Sequence, residues 1–123
     1  MAATNAFKQA MADAATARGA VISLHSADPG TTGANELAGG GYAAKLTAWG
    51  ASVIVGADAV ATGSVQQFDV EGGDAALWFG GWAGTVGARG AFQYGKALVP
   101  GVTLSVGANG KVDVTPTYTF SQA

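Results

Sequence analysis

The stretch Gly19-Ala20-Val21-Ile22-Ser23-Leu24-His25-Ser26-Ala27-Asp28-Pro29-Gly30 decides the fold, because the hydrophobic pattern changes period within it. From Ala20 to Ser26 the side chains alternate, with Ile22 and Leu24 on one face and Ser23 and His25 on the other, as in a β-strand. Asp28-Pro29-Gly30 then supplies a turn, with the Asp carboxylate accepting from backbone amides and the Pro ring fixing φ. Downstream the same kind of segment recurs at 42–49, 53–55, 64–70, 75–82, 90–98, 102–106 and 111–120, divided by Gly, Pro, Asn and Asp. Eight strands with this punctuation predict a mainly β chain, an antiparallel β-sandwich of jelly-roll type. The clearest hairpin is the closing one, in which Val102, Leu104 and Val106 alternate, Asn109-Gly110 turns, and Val112 and Val114 return. Pro100 and Pro116 mark strand ends or edges, since neither can donate a ladder hydrogen bond.

Upstream of Gly19 the period is helical. Residues 5–18 read as one N-terminal α-helix, capped by Thr4 or Asn5, rich in Ala, and terminated by Gly19. Phe7, Ala10, Met11 and Ala14 fall on one face, a narrow stripe suited to lying flat on a sheet or on a neighbouring subunit. The chain therefore divides into a helix or arm at 1–19 and a β-sandwich domain at 20–123.

Its 123 residues suffice for one domain that buries roughly two-thirds of its unfolded surface. Only 11% are charged, against about 25% in ordinary soluble domains, while 49% are apolar and 20 are Gly. So thinly charged a surface points to burial against neighbouring chains. A net charge of −2, with Lys8, Arg18, Lys45, Arg89, Lys96 and Lys111 scattered, argues against a nucleic-acid partner. The absence of Cys removes disulfides, thiolate metal sites and thiol catalysis. Neither a secretory signal nor a membrane span is legible. No repeat of the kind that builds fibres is present either.

The chemistry-bearing residues are few. His25, the single histidine, has Ser26 and Asp28 nearby, but three groups within four residues of strand and turn do not make a triad, and no nucleophile elbow is present. The simpler expectation is a strand histidine bonded to the following loop. Asp28, Asn35 and Glu36 carry oxygen ligands in a loop containing Gly30 and Gly33, yet their spacing matches no EF-hand, and the loop reads as ordered by its own hydrogen bonds without a metal. Gly39-Gly40-Gly41 lacks the spacing and the Lys of a phosphate cradle. These considerations predict no catalytic, cofactor-binding or metal site. In Leu77-Trp78-Phe79-Gly80-Gly81-Trp82, alternation puts Leu77 and Phe79 on one face and Trp78 with Trp82 on the other. Both faces are apolar, so one is expected in the core and the other at an assembly interface. Phe7, Met11, Trp78 and Trp82 are the candidate interface residues.

The segment Leu24-His25-Ser26-Ala27-Asp28-Pro29-Gly30-Thr31-Thr32-Gly33-Ala34-Asn35-Glu36-Leu37, followed by Gly40-Gly41-Tyr42-Ala43, resembles the opening of the tail-fibre-like or minor virion structural proteins of tailed bacteriophages, of the actinobacteriophage type. The likeness is strong over about residues 20–50 and rests beyond them on general layout. It implies a virion component without enzymatic activity or cofactor, partnered by copies of itself and other virion proteins. The expected function is thus a structural protein, tail or tail-fibre associated, acting by oligomeric packing. One alternative is a capsid decoration protein. Another is a carbohydrate-binding module in which Trp49, Trp78 and Trp82 stack on a host surface glycan beside the carboxylates of the 28–36 loop. A hydrolase would require His25 in a deep pocket with a carboxylate partner.

Overall fold

In a computed structural model, which describes residues 3–121, the helix begins where the cap chemistry requires. The Thr4 hydroxyl accepts the Phe7 N–H at 3.2 Å, and α1 runs Asn5–Thr16. The sequence leaves open whether the apolar stripe of α1 lies on its own domain or on a neighbouring subunit. The buried side carries Lys8, Ala12 and Thr16, whereas the stripe of Phe7, Ala10, Met11 and Ala14 lies toward the outside, with Phe7 45% and Met11 38% exposed and the Phe7 ring edge-on to Phe120 at 6.3 Å between centroids. Polar tethers hold the helix in this orientation. Lys8 Nζ donates to the Ala57 carbonyl at 2.6 Å, Gln9 Nε2 to that of Ser52, the Ser52 hydroxyl to that of Gln9, and the Ser52 N–H to Asp13 Oδ1 at 2.8 Å. These four part-buried bonds fix which side of the helix meets the sheet.

Three antiparallel sheets follow. The first orders β1 (Val21–His25), β2 (Lys45–Leu46), β6 (Ala75–Gly84) and β7 (Arg89–Thr103) as β2-β1-β6-β7. The second orders β3 (Val53–Val55), β4 (Asp58–Thr62) and β9 (Thr117–Ser121) as β3-β4-β9, and the third pairs β5 (Gln66–Val70) with β8 (Gly110–Val114). The two smaller sheets form one bent ribbon, since β4 leads into β5 and β8 into β9. At the corner the Gly63 N–H donates to the Pro116 carbonyl at 2.8 Å. A side chain at Gly63 would collide with Thr47 and the Pro116 ring, and Pro116 is fully buried where no N–H is needed. Helix α1 lies on β4 and β9, where Ala12 meets a surface that includes the fully buried Ala59.

The core forms between the first sheet and the β5–β8 part of the ribbon. Ile22, Leu24, Ala76 and Phe79 meet Phe68, Val70, Val112 and Val114, with Leu37 completing the cluster. The chain is therefore mainly β with one helix. Among the described residues no helix is long and apolar enough to cross a membrane.

Several strand expectations change. The 42–49 segment yields only Lys45–Leu46, after a run of glycines with positive φ at Gly39, Gly40 and Gly41. The closing hairpin does not form. Val102 pairs with Ala76, Val112 pairs with Phe68, and Asn109 caps the Gly72 N–H at 3.1 Å rather than turning a hairpin. Strand β4 has no signature in the sequence because its inward residues, Ala59 and Ala61, are too small to mark an apolar period. The β6–β7 ladder slips between Ala76 and Trp78, opposite residues 98–101 of β7. Ala76 and Phe79 consequently both face the core while Leu77 is 38% exposed, so Leu77 and Phe79 do not share a face.

Phe68, fully buried at the centre of the cluster, tests the core. Phe68→Ala should lower the unfolding free energy by about 3–5 kcal/mol in urea titration, whereas Phe7→Ala should cost about 1 kcal/mol or less.

Candidate functional site

Residues 26–37 form a loop held over the outer face of the first sheet, and each turn of it has a local cause. The Ser26 N–H donates to the Asn35 carbonyl at 3.0 Å and the Leu37 N–H to the Leu24 carbonyl at 2.9 Å, closing the base. Asp28 Oδ1 accepts the Gly30 N–H at 2.8 Å, and Asn35, in the left-handed region at φ 65°, donates Nδ2–H to the Asp28 carbonyl at 3.1 Å. The Pro29 carbonyl accepts from both Gly33 and Ala34. Asp28 and Asn35 thus order the loop from within, and Glu36 anchors it from outside.

Beneath the loop, Ser23 and His25 are both fully buried. His25 Nδ1 lies 2.7 Å from the Ala34 carbonyl, which can only accept, so this nitrogen carries the proton. Nε2 then accepts the Ser23 hydroxyl at 2.7 Å, and Ser23 Oγ in turn accepts the Trp82 indole N–H at 2.8 Å. Every donor in this chain finds an acceptor only while the imidazole is neutral. Gly80, paired with Ser23, leaves the room required, since a Cβ there would stand 2.7 Å from His25 Nε2 and 2.9 Å from Ser23 Oγ.

A second, half-exposed layer sits above. Phe92 packs edge-on to Trp82 with ring centroids 4.9 Å apart, and the Arg89 guanidinium stands 5.0 Å from the Trp82 ring centre. Arg89 makes a fork of two bonds to Glu36, at 2.7 and 2.8 Å. Glu36 Oε2 also accepts the Tyr42 hydroxyl at 2.8 Å, and Tyr42 Oη accepts the Leu24 N–H at 3.0 Å.

Burial pushes the His25 pKa below its ordinary value despite the Ala34 carbonyl and the Glu36 charge, which favour protonation. Burial also opposes ionisation of Glu36, but the bonds from Arg89 and Tyr42 outweigh it and hold the carboxyl below the usual range. Tyr42 is pushed up, mainly by burial.

Chemically, Ser23 and His25 have the separation of a nucleophile and its base. Three facts make the pair structural instead. Both are inaccessible, Ser23 Oγ is engaged by Trp82, and the far imidazole nitrogen meets a backbone carbonyl rather than a carboxylate. Ser26 and Asp28, the neighbours suggested by the sequence, are exposed in the loop. Among the described residues no group of three or more His, Asp or Glu is placed to hold a metal.

Trp78 and Trp82 share the His25 face of β6, as alternation predicts, but Trp82 is covered within its own chain by Gly33, Phe92 and Arg89. All three Trp are half-buried, and Trp49 donates its indole N–H to the Gly19 carbonyl at 3.1 Å. Large apolar side chains left outward include Phe7 and Met11 on α1, Val53 and Val55 on β3, Leu77 on β6, and Val99 and Val106, which are more than 90% exposed. Arg89 and Tyr42 gave no signal in the sequence, since Arg89 meets Glu36 across 53 positions of the chain. No known protein family, curated protein or solved structure matches this chain.

The lowered His25 pKa makes the unfolded chain the better proton acceptor, so stability is complete above the ordinary histidine value of 6.5 and falls as pH drops from there toward the lowered folded value. Glu36, whose folded pKa lies below 4.5, adds a second loss as pH falls below that point. Melting temperature followed from pH 8 to 3 should show both declines. His25→Asn should flatten the first and Glu36→Gln diminish the second; a wild-type profile level across the histidine range would contradict the neutral-imidazole assignment.

Proposed function

We propose that this chain is a non-enzymatic structural protein of a bacteriophage virion, tail or tail-fibre associated, that works by packing against copies of itself and neighbouring virion proteins. The observation that carries the reading is the outward apolar stripe of α1. A helix that spends its polar side chains on its own domain, and leaves Phe7 and Met11 partly outward with only an edge contact from Phe7 to Phe120 of its own chain, is arranged to bury them further against another chain. The exposed Val53 and Val55, the 11% charge content and the resemblance of the 24–43 segment to virion proteins support the same reading. Architecturally the proposal is a sandwich of jelly-roll type, with the four-stranded sheet as one layer and the bent ribbon as the other; the two-sided core supports the layering.

Half-buried Trp, of which Trp49 and Trp82 donate their indole N–H within the chain, favour packing over glycan stacking, and no exposed Trp stands ready for a sugar ring among the described residues. The mechanism is repetition. Modest apolar contacts, multiplied by symmetry, hold an assembly that no single contact would hold.

Sedimentation equilibrium over a range of concentrations tests this. The expected result is a defined oligomer whose dissociation constant rises at least ~10-fold in Phe7→Ser/Met11→Ser, with the melting temperature little changed. A monomer at every concentration would overturn self-assembly.

A further inference from the structure

Two sheet edges come together without pairing. Strand β7 is hydrogen-bonded only to β6, and β9 only to β4, among the described residues. Their side chains nevertheless touch, with the Tyr94 and Tyr118 ring centroids 5.4 Å apart and Lys96 Nζ donating to Thr117 Oγ1 at 2.6 Å. A groove of about 280 Å³ lies between them, lined by Tyr94, Lys96, Thr117, Tyr118 and Thr119. It continues, past Lys96 and Thr117, into a second of about 230 Å³ that reaches Phe79.

Three features distinguish this seam from an ordinary surface crease. Exposed strand edges are normally guarded by charges, bulges or Pro, yet β9 reads Thr117-Tyr118-Thr119-Phe120-Ser121 with no charge and no Pro. Lys96 is half-buried and has only a hydroxyl as partner, while the two ion pairs among the described residues, Arg89 with Glu36 and Lys111 with Asp69, lie elsewhere. The Tyr94 hydroxyl is buried with no hydrogen-bond partner among the described residues, although buried phenols ordinarily find one. Unpaired strand edges want a strand, and an ammonium without a carboxylate wants an anion.

We infer that the β7–β9 seam receives an extended segment of a neighbouring polypeptide, laid as an added strand along an open edge, with an acidic side chain placed on Lys96. Backbone hydrogen bonds hold the segment, and the single charge sets its register. The added strand bridges the first sheet and the ribbon at the place where their ladders stop short of each other. The inference rests on the assembly reading, because the donor is another chain of the same structure.

The test is a titration of the isotopically labelled full chain with acetyl-Thr-Val-Glu-Val-Thr-amide, read by amide chemical shifts. Shifts should concentrate at Gly95, Lys96, Thr117 and Thr119, and affinity should fall roughly 5–10-fold when Glu in the peptide becomes Gln, or in Lys96→Met, as a lost partly buried ion pair predicts. The Pro peptide acetyl-Pro-Pro-Glu-Pro-Pro-amide, which keeps the charge but loses the N–H of every residue except Glu, should bind at least ~10-fold more weakly. No shift with the first peptide, equal binding of the Pro peptide, or the same shifts with sodium acetate alone would each overturn the strand, the last leaving a small-anion site. Sedimentation of the same sample separates the two readings: an oligomer that ignores the peptide keeps the assembly and removes the seam, and a monomer that binds it does the reverse.

Discussion

Strand β1 is buried along its whole length, yet one of its two faces carries the polar pair Ser23 and His25 beside Val21, and that constraint shapes the molecule. Ile22 and Leu24 enter the core, while Ser23 and His25 turn the other way and must be sealed from water with every polar atom satisfied. The 26–37 loop supplies the seal and the Ala34 carbonyl, and β6 supplies Trp82 and the space at Gly80. The outer ion pair of Arg89 and Glu36 then holds the loop to the β6–β7 hairpin. A histidine and serine at bonding distance are here the keystone of a cover that buries both.

How much of this was legible in the sequence depends on whether the cause was local. The start of α1 at Thr4, the extent of β1 and the turn at Asp28 are fixed by residues within a few positions of one another, and they were readable. Where a partner strand decides the outcome, alternation alone misleads. Val102 and Val112 alternate as a hairpin should, but Ala76 and Phe68 bury them in different sheets. In the loop, Asp28, Asn35 and Glu36 stood out by type and position, whereas Arg89, Tyr42 and Ser23 became partners only through the pairing of β1 with β6 and the path of the chain around it.

The helix shows the same logic on the scale of one element. Hydrophobic periodicity marks Phe7 and Met11 as one face without saying what covers it; α1 is held by bonds to backbone groups at Ser52 and Ala57, with Phe7 edge-on to Phe120 at the margin. Amphipathicity identifies a face that wants cover; it does not say that the cover comes from the same chain. A thinly charged surface with apolar side chains outward on both α1 and β3 is coherent if the molecule works among neighbours, and costly otherwise.

The register of β1 against β6, Leu24 opposite Phe79, also imposes an order on synthesis. A ribosome adds roughly 5–20 residues each second, so β1 waits roughly 3–11 s after it is made before β6 exists to cover it. During that interval the chain has its hairpin partner β2, only two residues long, and nothing else from the first sheet. The nascent chain thus passes through a stage with an uncovered apolar strand, and it is then, before folding rather than after it, that Asp28-Pro29-Gly30 and the charged Lys45 stand as the nearest breaks against strand-to-strand aggregation.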